Sequence, residues 1–171
     1  MLPKIDTFFT KKNSNNVCKI HPEFDYKLNF DGCSKGNPGL AGAGAVLYLH
    51  DNEIWSENFF VGEKFTNNHA EYAGLILGLQ QAKAMGIKVL RVEGDSQLVI
   101  NQMLGIYKCK SLNLIELYDK AKDLESSFEK IYYNHIYRTE NKRADELSNV
   151  AIKKYLSDND NVIIYGEGDI I

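Results

Sequence analysis

Four acidic residues, Asp31, Glu71, Asp95 and Asp145, stand where strand-like or helix-like stretches stop or start. Asp31 ends the alternating stretch YKLNFD, and Glu71 lies near the start of a helical run. Asp95 follows the apolar run IKVLRVEG, and Asp145 opens the last helical stretch. Singly, each has an ordinary explanation: Asp95 as a helix cap, Glu71 as one half of a capping box, Asp145 as a charge on a helix dipole. Jointly they point to chemistry, because ligands of an open α/β sheet gather where central strands end and helices begin. If the strands ending at Asp31 and Asp95 are neighbours, each carboxylate raises the pKa of the other unless a cation intervenes. Four negative charges match two divalent cations. Hard oxygen donors without a Cys or His cluster select Mg²⁺, with Mn²⁺ as substitute, over zinc. Two such ions about 3.5–4 Å apart suit phosphodiester cleavage, one acting on the attacking water and the other on the departing oxygen.

The elements that must position these acids follow from periodicity. Tyr26, Leu28 and Phe30 alternate with polar residues, giving a first strand from about Tyr26. Residues 41–50 and 53–62 read as two more, joined by a turn at His50-Asp51-Asn52, so three antiparallel strands are expected. Between the first two lies DGCSKGNPGLAGAG, with six glycines and prolines. A turn needs fewer; the excess calls for a ligand or a tight backbone approach. Residues 67–86 have helix length, with Asn68 as N-cap, Glu71 completing a capping box and Gly86 at the C-cap; Gly74 and Gly78 permit close packing on the sheet. Residues 87–95 form a central strand buried on both faces. A short helix from Ser96 to Gly105 follows, then one over 111–128 with Leu114, Tyr118, Ala121, Leu124 and Phe128 in register. A fifth strand spans 130–138, and a last helix over 141–156 aligns Ala144, Leu147, Ala151 and Tyr155. The order βββαβααβα is an α/β layer architecture. The final NVIIYGEGDII either pairs as an edge strand or hangs free.

The 171 residues, 44% hydrophobic, suffice for one domain with a real core. A charge of −3 speaks against a general nucleic-acid coat but not against an enzyme that holds cations. Cys18, Cys33 and Cys109 have no CxxC spacing, as expected of reduced intracellular thiols. No stretch has the form of a signal peptide or a membrane span, so a soluble intracellular protein is expected. The divisions expected are a tail at 1–24, the domain at 25–157 and an extension at 158–171.

The stretches DGCSKGNPGLAGAG, TNNHAEYAGLILGL, EGDSQLVINQM and HIYRTENKRADELSN resemble, in order, the four motif blocks of ribonuclease H type 1, in its compact subgroup. The likeness covers about residues 26 to 155. It implies a mixed five-stranded sheet in order 3-2-1-4-5 flanked by helices, and Mg²⁺-dependent hydrolysis of the RNA strand of RNA/DNA hybrids. It places Asp31, Glu71, Asp95 and Asp145 on the four metal-binding carboxylates. It makes Gly32 to Gly39 a turn whose bare backbone meets the substrate. Asn37 and Thr66 match a pocket for a phosphate of the DNA strand, and Asn67 and Gln97 match minor-groove contacts. His135 falls on the mobile histidine that assists proton transfer or product release. It also shares a strand face with Tyr133 and Tyr137, which leaves a partly buried structural histidine equally open; Arg138 is then the substitute, a permanent cation near the leaving phosphate.

No basic protrusion interrupts NQMLGIYKCKSLN, so weak, strongly salt-dependent substrate binding by a monomer is expected. Another nuclease or resolvase of the same fold, or a non-cutting hybrid-binding or clamp-tethered adaptor, stays open beside the hybrid-specific reading. Residues 2–12, LPKIDTFFTKK, resemble a sliding-clamp-binding peptide with Ile5, Phe8 and Phe9 as anchors, although Leu2 stands where such peptides carry glutamine. A clamp partner would keep a weakly binding enzyme at replication forks.

Overall fold

The structure is a computed structural model that describes residues 24–164, with side chains described over 24–159. The clamp-like segment at 2–12, with Ile5, Phe8 and Phe9, lies outside the described residues. Strands β1 (Tyr26–Lys35), β2 (Gly39–Leu49) and β3 (Asn52–Phe65) form an antiparallel meander. Helix α1 (Asn67–Ala84), β4 (Val89–Gly94), α2 (Gln97–Met103), α3 (Leu112–Glu125), β5 (Lys130–His135), a 3₁₀ turn (Arg138–Glu140) and α4 (Lys142–Ile164) follow. The five strands lie in the order β3-β2-β1-β4-β5. The β1–β4 and β4–β5 pairs are parallel, as crossovers through helices require. The expected α/β class and strand order are both observed.

Alternation in the strands decides which helix each residue meets. Leu28 and Phe30 of β1, Leu47 of β2, and Leu90 and Val92 of β4 turn to one face, where Leu75 and Leu79 of α1, Val99 of α2 and Leu114 of α3 cover them. Each of these large side chains that is fully buried contributes about 1.5–3 kcal/mol. Val46 of β2 points the other way, onto Ala144 and Leu147 of α4. Asp31, one residue from Phe30, therefore faces α4 rather than the main core. No helix among the described residues is long and apolar enough to cross a membrane.

Four expectations change in detail. Strand β1 runs through Gly32 to Lys35, so the turn shrinks to Gly36-Asn37-Pro38, with Gly36 at φ +106° and a cis Asn37–Pro38 bond. Gly32 serves the helix instead, because a Cβ there would lie 2.0 Å from the Ala70 carbonyl carbon of α1. The cap of α1 is Thr66, whose Oγ1 accepts from His69 N at 3.3 Å. Asn68 and Glu71 form no capping box, and Glu71 is freed to turn inward. Strand β5 stops at His135, which leaves that residue exposed, while Tyr133 on the same strand is buried. Helix α4 continues to Ile164, past the end expected at residue 156, so residues 161–164 are helical rather than an edge strand.

Candidate active site

The parallel pairing of β1 with β4 ends at Asn29 and Glu93; β4 stops at Gly94, while β1 continues to Lys35 along β2. Where the two strands part, Asp31 on β1 and Asp95 just beyond β4 face the opening. Helix α1 delivers Glu71 to the same place because nothing holds it off the strand. Besides the Gly32 contact, a Cβ on Gly74 would sit 2.5 Å from the Asp31 carbonyl oxygen. Oxygens of Asp31, Glu71 and Asp95 converge within 4.8 Å of one another. Asp145, in the first turn of α4, lines the same cleft of about 320 Å³ with Lys35, Asn149 and Arg138.

Burial and mutual repulsion govern the electrostatics. Asp31 is 4% exposed. Desolvation, with Asp95 and Asp145 adding repulsion, pushes its carboxyl up to about 6, against a lowering hydrogen bond from Ser148. Glu71 is raised well above the ordinary glutamate range, first by burial and then by the charges of Asp31 and Asp95; a hydrogen bond from the Gly32 backbone opposes this. Glu71 Oε2 is buried and has no hydrogen-bond partner. A buried carboxylate oxygen left without a donor costs about 1–3 kcal/mol or more, and a cation removes that cost. The orphaned oxygen, the convergence and the all-oxygen donor set together fit a hard divalent ion.

Two further residues hold the acids in place. Ser148 Oγ lies 2.5 Å from Asp31 Oδ2 and 2.9 Å from the Asp145 carbonyl oxygen. Asn141, 1% exposed, donates through Nδ2 to Asp95 Oδ1 and to the Phe30 carbonyl oxygen, both at 2.8 Å. Asp145 accepts from Arg138 Nη2 at 2.6 Å and Nε at 3.1 Å, which sets it apart from the other three acids. The Asp145 charge is thus compensated by an exposed arginine rather than by a buried partner.

Of the other residues singled out in the sequence, Asn67 and Arg138 line the cleft, while Asn37, Thr66, Gln97 and His135 do not. His135, paired with Gly94 across β5 and β4, places Nε2 3.2 Å from the Asp95 carbonyl oxygen. A carbonyl only accepts, so Nε2 carries the hydrogen and Nδ1 is the basic nitrogen. The ring does not line the cleft itself. Asn37 Oδ1 accepts from Asn67 N at 2.9 Å, and Asn67 Oδ1 accepts from Ser34 N at 2.7 Å. These two asparagines fasten the β1–β2 turn to the start of α1, beside the Thr66 cap. Gln97, exposed, is the first residue of α2. Ser148 and Asn141 escaped the sequence reading because the acids they hold lie far off in the chain, Asp31 117 residues from Ser148 and Asp95 46 residues from Asn141.

The sheet order and the acid-lined gap between diverging strands define the class: an α/β protein of the ribonuclease H-like fold whose cleft carries an acidic cluster able to hold a metal ion. Residues 29–151 match the family model described as Reverse transcriptase-like. The chain is 43% identical over 126 residues to the bifunctional protein Rv2228c of Mycobacterium tuberculosis, covering 73% of this chain. It spans 35% of that relative's length. The solved N-terminal RNase H domain of Rv2228c superposes with a TM-score of 0.75 at 39% identity, covering 78% of this chain and 97% of that one. A ribonuclease H of Dechloromonas aromatica is 34% identical, with 72% of this chain and 90% of the relative covered. LC11-RNase H1, isolated from compost and solved in complex with an RNA/DNA hybrid, superposes with a TM-score of 0.72 at 36% identity, covering 77% and 99%. The chain belongs to the ribonuclease H family, type 1.

Proposed function

We propose that this chain is an endonuclease that hydrolyses the RNA strand of RNA/DNA hybrids, leaving 5′-phosphate and 3′-hydroxyl ends. The observation that carries the reading is the convergence of Asp31, Glu71 and Asp95, with one Glu71 oxygen buried and unpartnered, in a chain of the ribonuclease H family. The all-oxygen donor set favours two Mg²⁺ ions, with Mn²⁺ able to substitute. When bound, such ions supply acidification of the attacking water and neutralisation of charge on the departing oxygen. Asp31 and Asp95 would be the central holders, Glu71 would hold one ion on the 2′-hydroxyl side, and Asp145 would hold the other in place of its Arg138 contact. Ser148 and Asn141 fix the aim of Asp31 and Asp95 before any ion arrives.

The proton reaching the departing 3′-oxygen is assigned to the side of His135, whose basic nitrogen is free at the exposed end of β5. Arg138, released from Asp145, faces the leaving phosphate. Asn37 and Thr66 take a phosphate of the DNA strand, while Asn67 and Gln97 meet the minor groove. Residues 25–157 form the catalytic domain in this reading, between a tail at 1–24 and an extension at 158–171. Eight residues, 104–111, join α2 to α3 directly, which supports the compact form and a hybrid affinity that falls steeply with salt. The tail, through Ile5, Phe8 and Phe9, is assigned to a sliding clamp that would hold the monomer near its substrate. Equal recovery on clamp resin of wild type and the Phe8→Ala/Phe9→Ala variant would end that assignment.

The deciding experiment compares a labelled RNA/DNA hybrid with duplex DNA, duplex RNA and a duplex bearing one ribonucleotide, in Mg²⁺, Mn²⁺ or chelator. Cleavage confined to the RNA of the hybrid, abolished by chelator and by Asp95→Asn in a folded protein, is the expected result. Cleavage that persists in chelator, or that prefers duplex DNA, refutes it.

A further inference from the structure

Resting on the hybrid-cleaving reading above, we propose that Lys35, steered by Asn149, grips the phosphate of the cleaved RNA strand that neighbours the scissile one. Two cationic side chains line the cleft, Arg138 and Lys35. Arg138 is paired with Asp145 and, once released, is already assigned to the leaving phosphate. Lys35 is exposed, and its Nζ donates at 3.0 Å to the neutral Oδ1 of Asn149. Among the described residues it makes no ion pair, so its charge is not compensated by any acid of the cleft.

Geometry says where that charge is offered. Lys35 is the last residue of β1 and shares a strand face with Asp31 and Cys33, because alternate residues point the same way. Four residue steps along the strand separate the roots of Asp31 and Lys35 by about 13 Å, which sets the lysine at the rim rather than at the converging carboxylates. Asn149 keeps it there: its Oδ1 takes the ammonium while its Nδ2 donates to the Asp145 carbonyl oxygen at 2.8 Å. A free ammonium would be drawn inward from the rim by the four carboxylates that line the cleft. Tethered to a neutral amide, it instead faces the polyanion that must cross a cleft carrying four carboxylates, and offsets part of that repulsion. A lysine suits this as a point charge on a flexible stem, able to follow a phosphate without dictating its orientation.

The test is binding of a fluorescent RNA/DNA hybrid in EDTA, where nothing is cut, across a series of salt concentrations. Lys35→Gln is expected to weaken binding about threefold to tenfold at low salt and to flatten the slope of log affinity against log salt by about 0.9, the signature of one lost phosphate contact. Lys35→Arg restores both. Asn149→Asp, which pairs the lysine with an acid, reproduces the weakening without touching Lys35, and covers the case in which Lys35→Gln fails to fold. A single uncharged methylphosphonate walked along the RNA strand weakens wild type at one position next to the cleavage point and leaves Lys35→Gln indifferent there. An unchanged affinity and slope in folded Lys35→Gln, or a failure of arginine to restore them, overturns the assignment while hybrid cleavage by wild type stands. Wild type that neither binds nor cuts the hybrid is a separate failure, that of the functional reading itself.

Discussion

Replacing Asp31 with asparagine should make the metal-free protein more stable while abolishing its activity. Burial and the neighbouring acids lift the Asp31 carboxyl from 3.8 to about 6, so the folded state holds that proton more tightly than the unfolded chain does. The ionisation penalty is therefore absent below pH 4 and grows as pH rises, reaching its full size above pH 6. Two pKa units correspond to about 3 kcal/mol. Asparagine keeps the shape and the Ser148 contact but carries no charge, and its loss also relieves Glu71, which Asp31 repels. In chelator at pH 7.5, Asp31→Asn should exceed wild type by up to about 3 kcal/mol, or roughly 6–12 °C in Tm for a chain of this size. At pH 4.5 most of the gap should close. Urea unfolding followed by the single tryptophan, Trp55, which packs against the core, measures both. Added Mg²⁺ should stabilise wild type and leave the variant nearly unmoved. A variant less stable than wild type at pH 7.5, or a gap of the same size at both pH values, would refute the claim that these carboxylates are strained without a cation.

Three more outcomes follow from the same geometry. Ser148→Ala removes the contact that lowers the Asp31 pKa, so Mg²⁺ affinity measured by calorimetry should fall, and fall further at pH 6 than at pH 7.5. Asn141→Ala strips the Phe30 carbonyl oxygen and Asp95 of their donor and should cost about 1–3 kcal/mol in urea unfolding, with a raised Mg²⁺ requirement in the hybrid cleavage assay. Gly74→Ala gains about 1 kcal/mol of helix propensity, yet its methyl would lie 2.5 Å from a backbone oxygen; thermal unfolding should show a net loss of about 1–2 kcal/mol, larger than for Gly78→Ala, which meets only the Leu28 side chain.

The acids at element ends were legible because each sits where a periodic pattern changes, and a change of period marks where a strand gives way to a loop or helix. The parallel strand pair then brought Asp31 beside Asp95, as the apolar run before Asp95 implied for a central strand. Gly74 and Gly78 were likewise readable as packing residues, and a methyl on either would meet β1 at less than contact distance, at the Asp31 carbonyl oxygen and the Leu28 side chain respectively. The cap of α1 was misplaced because TNN offers three capping residues in a row, and which one caps depends on Asn37 and Ser34, thirty-odd residues upstream, engaging Asn67. Strand β1 outran its expected end because Gly32 is extended rather than turned, a choice made by the helix lying against it. Ser148 and Asn141 left no local trace: a serine and an asparagine in or beside a polar helix look the same whether they face water or a buried aspartate.

The contact of Gly32 and Gly74 with opposing main chain has one more effect. With no side chain interposed, the span between the strand and its covering helix is a spacer of fixed thickness, indifferent to which hydrophobic residues fill the rest of the interior. Repacking elsewhere can shift how tightly the layers hold together while the separation of Asp31 from Glu71 stays the same. The tolerance of the chemistry is thereby uncoupled from the drift of the interior that supports it.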